Sequence, residues 1–115
     1  MAKYETTLTA DFSALLVAIE QGIMQGSVSA SLEDRSDYQA DSLRVAVRVF
    51  ERYSWLGSNR VSLSVTLVGK ENQIFLSAIT SGGSQAVFFK INTLGESAFL
   101  DKLREVVEQF ARTGR

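Results

Sequence analysis

Arg44, Arg48 and Arg52 recur every fourth residue in LRVAVRVFERYSW, residues 43–55, with Phe50 among them. In an extended chain, residues an even number apart share a face, so the three cations line one side of a strand. Such a platform suits an anionic ligand or single-stranded nucleic acid, where guanidinium groups hold the phosphate and a ring stacks on a base. The plainer reading is a solvated strand face whose arginines pair with acids on neighbouring strands, Glu33 for example. Glu51 and Tyr53 fall on the opposite face. If the alternation of Val45, Val47 and Val49 continues, both point toward the core, and a buried carboxylate is a candidate acid or base. A bulge near residue 50, or an ion pair with Arg60 or Lys90, would make Glu51 structural instead. Glu51, Tyr53, Arg60 and Lys90 are thus candidate ligand contacts, and Arg44, Arg48 and Arg52 candidate anion contacts.

The pair Gly82-Gly83 in SAITSGGSQAVFFKI is the other place where chemistry is conceivable. A phosphate-cradling glycine loop needs a helix N-terminus after it, because the helix end supplies aligned N–H groups. Here the glycines lead into Gln85 to Ile91, a β-branched and aromatic run. Two glycines between apolar runs fit the centre of a type I′ turn, which needs positive φ at both positions. The expected role is a hairpin turn.

Composition removes much of the remaining chemistry. The chain has 115 residues, no Cys, no His and no Pro. Thiolate nucleophiles, zinc-thiolate sites and imidazole ligands are therefore excluded. No metal centre or cofactor is expected. Twelve basic residues against thirteen acidic ones give a net charge of −1, which is not the footprint of a phosphate-backbone binder. No apolar run is long enough to span a bilayer, and MAKYETTLTADF lacks the apolar stretch of a secretory signal. The expectation is a cytoplasmic protein of one domain.

Hydrophobic spacing then supplies the elements. Tyr4, Thr6 and Leu8 alternate with polar neighbours as a first strand. Asp11 stands at a helix N-cap, followed by Phe12, Leu15, Leu16, Ile19 and Ile23 at helical spacing. Gly26 is a natural left-handed stop. Val28, Ala30 and Leu32 read as a second strand, and residues 33–42, EDRSDYQADS, as a polar loop in which Asp37 and Tyr38 could form a lid. Residues 43–55 form the third strand, with Leu43, Val45, Val47 and Val49 toward the core. Val61, Leu63, Val65 and Leu67 alternate with Ser62, Ser64 and Thr66 in the fourth. IFLSAIT and AVFFKI supply strands five and six. Thr93 to Glu96 fits a capping box at the head of a helix whose stripe is Phe99, Leu100, Leu103, Val106, Val107 and Phe110. The short turns predict an α+β fold: a six-stranded, mainly antiparallel sheet with two helices on one face.

The runs RVAVRVFERYSWLGSNRVSLSVTL and FLSAITSGGSQAVFFKINTLGESAFLDKLREV resemble a family of small uncharacterised bacterial proteins, a domain of unknown function. The resemblance extends from SASLED through the last helix and implies no activity, cofactor or catalytic residue. The element order also resembles the TBP-like and helix-grip folds, where a long C-terminal helix crosses an antiparallel sheet and relatives often bind apolar small molecules.

Two functional expectations result. The first is a non-catalytic module holding a small apolar or anionic ligand between the sheet and the last helix. The second is self-association or partner docking through the outer face of the sheet. Strands five and six are apolar on both sides, so Phe75, Ile79 and Phe88 are left needing cover.

Overall fold

The computed structural model describes residues 1–27, 29–54, 59–82 and 89–114, without the side chains of residues 54, 59 and 89–95. The elements run β1 (Ala2–Thr9), α1 (Phe12–Gln25), β2 (Ser31–Ala40), β3 (Leu43–Ser54), β4 (Asn59–Lys70), β5 (Gln73–Gly82) and α2 (Phe89–Thr113). The strands form one antiparallel sheet of order β1-β5-β4-β3-β2. The class is α+β as expected, with five strands among the described residues rather than the six expected.

Local signals explain α1. The Asp11 carboxylate accepts from the Ala14 N–H at 2.8 Å, satisfying one free donor of the first turn. Phe12, Leu15, Leu16, Ile19 and Ile23 are buried along one face. Gly26 ends the helix but sits at φ −79°, so the expected left-handed stop is not used. The flexible end of the Lys102 side chain lies across it, and would have to shift to admit a Cβ there.

Three sequence expectations are corrected. Residues 33–42 are not a loop: Ser31–Ala40 is a strand paired with β3 in full register apart from a bulge between Leu32 and Asp34. As an edge strand it hydrogen-bonds on one side only, and its charged, mostly exposed residues shield the free edge. Second, residues 89–91, expected at the end of a sixth strand, are helical. Residues 86–88 lie outside the described residues, and α2 begins at Phe89. The Thr93–Glu96 capping box therefore falls inside the helix, and Glu96 is buried, with the amino group of Met1 3.0 Å from its carboxylate. Third, Gly82 is the last residue of β5 and does not adopt positive φ, so it is not half of a type I′ turn. Gly83 lies outside the described residues.

Both helices pack on one face of the sheet. The ring of Phe12 in α1 lies against Gly69 of β4, where an added Cβ would stand 2.5 Å from it. Phe99 of α2 lies under Arg52 of β3, and Arg104 of α2 over Tyr4 of β1. The two helices meet where Gly22 faces Val106, a contact too close for any larger residue at 22 without movement. Between helices and sheet lie Leu15, Ile19, Ile23, Phe50, Leu63, Val65, Leu67, Ile74, Leu76, Phe99 and Leu103, all essentially inaccessible. Val106 packs partly buried at the margin of this core.

Candidate functional site

The register decides which face of β3 carries what. In β4, Val61, Leu63, Val65 and Leu67 are buried under the helices. Their partners across the ladder are Arg52, Phe50, Arg48 and Ala46. Directly opposed residues share a face, so the arginine face of β3 is the helix-covered face, not the solvated one. Val45 and Val47, expected in the core, are half-buried on the other side. Valine content favours the opposite assignment, and the strong alternation of β4 overrides it.

Each arginine meets a helix. The Arg44 guanidinium stands 4.3 Å from the Phe12 ring centroid and donates to the Ser13 hydroxyl at 2.7 Å. Arg48 is buried and donates through Nε to Glu20 of α1 at 2.6 Å and through Nη2 to Asp37 of β2 at 3.0 Å. Its Nη1 donates to the carbonyls of Val47 and Ser36. Burial alone pulls the Arg48 pKa down, but the two carboxylates outweigh it and leave the guanidinium held above its ordinary value. Arg52 stacks at 4.6 Å on Phe99, and burial lowers its pKa. The three therefore do not form an exposed anion platform. They clamp helices to the sheet, with Arg48 bridging α1 and the edge strand.

The expected ligand quartet is not assembled between sheet and helix either. Glu51 and Tyr53 are paired with Ser62 and Arg60, on the face away from the helices. Glu51 accepts from Arg60 Nε at 2.9 Å, the ion-pair alternative raised from the sequence, and from the Ser62 hydroxyl at 3.4 Å. Lys90 lies in the first turn of α2 rather than in a strand, and its side chain is not among those described.

What remains is the uncovered face itself. Ladder partners place Tyr38, Val45, Val68 and Phe75 in one row across β2, β3, β4 and β5. The next row is Ser36, Val47, Thr66 and Ser77, and the one beyond it Asp34, Val49, Ser64 and Ile79. Tyr38 is 62% exposed, Ile79 42% and Phe75 40%, while the valines between them are half-buried. None of the described elements covers this surface. A half-solvated antiparallel sheet is expected to be polar on its wet side, and here the serines of β4 alternate with valines and rings. Phe75 and Ile79 are where the sequence reading put an interaction surface; Phe88 lies outside the described residues. Tyr38, Val45, Val47 and Val68 were missed, because Tyr38 was read in a loop and the valines of β3 in the core. A strand assignment for residues 31–40 was the signal needed.

Residues 1–111 match the family model described as a family of unknown function, DUF6054. The chain belongs to that family. No curated protein matches it. The family model covers every element of the sheet and nearly all of α2, so the uncovered face lies wholly within the DUF6054 unit. Among its described residues no helix is long and apolar enough to cross a membrane, and no cluster of three or more carboxylates is placed to hold a metal.

Proposed function

We propose that this chain is a non-catalytic association module, and that the surface it uses to bind a second copy of itself is the uncovered face of the sheet. The observation that carries the reading is the apolar row of Tyr38, Val45, Val68 and Phe75, with Ile79 beside it, on a face with no described helix over it. Five strands spaced about 4.8 Å apart, each showing four or five outward residues, give a footprint of roughly 700 Å² per copy. Two such faces approach the ~1,600 Å² total of an ordinary stable interface. The face also carries both signs of charge, including Lys3, Glu5, Glu51 and Arg60, so it does not repel its own copy. A two-fold dimer is the commonest closed assembly for such a surface.

The ligand-binding alternative has less support. The layer between sheet and α2 is filled by Phe50, Leu63, Phe99 and Leu103. A groove of about 500 Å³ exists instead between the start of α1 and the end of α2, lined by Val17, Ala18, Phe110 and neighbours, and it is open to solvent. Equilibrium sedimentation tests the proposal: a dimer is expected in the micromolar range, and Phe75→Lys should yield a folded monomer. A wild-type chain that stays monomeric at high micromolar concentration refutes it.

A further inference from the structure

From β2 to β5, the row Tyr38–Val45–Val68–Phe75 is the same in both directions by residue class: ring, valine, valine, ring. The adjoining row, Ser36–Val47–Thr66–Ser77, has the same symmetry: small hydroxyl, branched, branched, small hydroxyl. The mirror line of both rows falls between β3 and β4. An isologous interface requires a surface complementary to itself under a two-fold axis. These two rows meet that requirement when the axis runs along that line; the row beyond them, Asp34–Val49–Ser64–Ile79, does not share the symmetry and would set Asp34 against Ile79.

We infer that two copies stack their uncovered faces about a two-fold axis parallel to the strands, between β3 and β4, so that Tyr38 of each copy packs on Phe75 of the other. This rests on the self-association proposed above and specifies its geometry. Val45 then faces Val68 of the second copy, Val47 faces Thr66, and Ser36 faces Ser77. At the ends of the strands Leu43 meets the aliphatic stem of Lys70, and Tyr53 meets Arg60, the contact types that long cations make with apolar and aromatic surface. β1, with its Lys3–Glu5 pair, is left outside the overlap, so four strands of each copy meet and the buried total falls to about 1,100 Å², still above the ~1,000 Å² that a specific interface needs. Two other axes are less favourable. An axis along β4 would set Lys70 against Lys70 and Arg60 against Arg60, like charges directly opposed. An axis across the strands through the Ser36–Ser77 row, which also contains Glu5, would set Glu5 against Glu5. Aligned sheets cross at about 30°, a rotation that displaces side chains near the axis only slightly and leaves the four central valine and threonine positions in contact.

Two single variants test the pairing. Tyr38→Lys and Phe75→Glu each place a charge against an apolar ring of the second copy. Each alone should weaken dimerisation by about a hundred-fold or more, as loss of an aromatic anchor does. Mixing the two should restore a heterodimer, because the introduced ammonium then faces the introduced carboxylate while the second Tyr38–Phe75 contact stays native. Restoration on mixing is an outcome that general surface damage or misfolding of either variant would not produce. The chain has no Cys, so a second readout is clean: Ser36→Cys mixed with Ser77→Cys should be joined by a short bifunctional thiol reagent, whereas in either variant alone the two thiols lie about three strand spacings, roughly 14 Å, apart sideways and should not be joined. Dimeric wild type with a fully dimeric Tyr38→Lys, or variants that stay apart on mixing, overturns this geometry while the self-association reading stands. Monomeric wild type overturns that reading itself.

Discussion

Arg48 offers the sharpest test of the energetics, because its two partners and its burial predict unequal effects for removing either side of the same contact. The Arg48 side chain is 6% exposed, against 28% for Glu20 and 57% for Asp37. Glu20→Ala strips the closest acceptor, at 2.6 Å, from a cation that cannot reach water. Removing one partner of a buried pair typically costs about 3–5 kcal/mol. Here Asp37 and two carbonyl oxygens still hold the guanidinium, which brings the expected loss down to about 2–3 kcal/mol, the range of a charged hydrogen bond left unmade. Arg48→Met removes the cation instead. Both carboxylates can rehydrate where they stand, and the methionine fills much of the space among apolar neighbours, so the change should stay within about 1 kcal/mol of wild type. Urea unfolding reads both: with a slope of ~1–3 kcal/mol/M, Glu20→Ala should lower the midpoint by about 1–2 M and Arg48→Met by far less. The double variant should resemble Arg48→Met. If Arg48→Met proves the more damaging of the two, the pair is a net stabiliser and the desolvation argument is wrong.

Close contacts and backbone geometry set three further outcomes. Gly69→Ala should destabilise by about 1–3 kcal/mol, as overpacking does, because the new Cβ would lie 2.5 Å from the Phe12 ring, itself held beneath Arg44; a lowered urea midpoint with unchanged slope reads it. Glu71, the first residue of the two-residue β4–β5 loop, sits at φ 57°, so Glu71→Asn, which tolerates the left-handed region better, should raise stability by up to about 1 kcal/mol, measured as a higher melting temperature. Leu103→Ala should cost about 2–5 kcal/mol, as fully buried leucines do, and a loss within error would mean that α2 does not depend on its packing against the sheet.

Local chemistry alone determined several elements of this protein. Asp11 followed by apolar residues at helical spacing specifies α1, the alternation from Val61 to Leu67 specifies β4 and its buried face, and the stripe from Phe99 to Phe110 specifies the packed face of α2. These signals are local because each residue's burial there follows from the period of its own element. The absence of Cys and His limited the chemistry without any structure. The sequence also pointed to Phe75 and Ile79 as apolar residues on the wrong side of a wet sheet. Other features needed the tertiary structure. Ser31–Ala40 has no alternation to read, because an edge strand with little helix cover is held by backbone pairing to β3 rather than by burying one face. The orientation of β3 was misread from its valines, since both of its faces carry apolar residues and only its register with β4 chooses between them. That register turned Arg44, Arg48 and Arg52 from an anion platform into helix clamps. It also moved Glu51 onto the outer face beside Arg60, and it aligned Tyr38, Val45, Val68 and Phe75 in one row. Strand register is a long-range property, set by which neighbours bury their side chains together. A one-residue slip would exchange the two faces, so no local pattern within β3 could decide it.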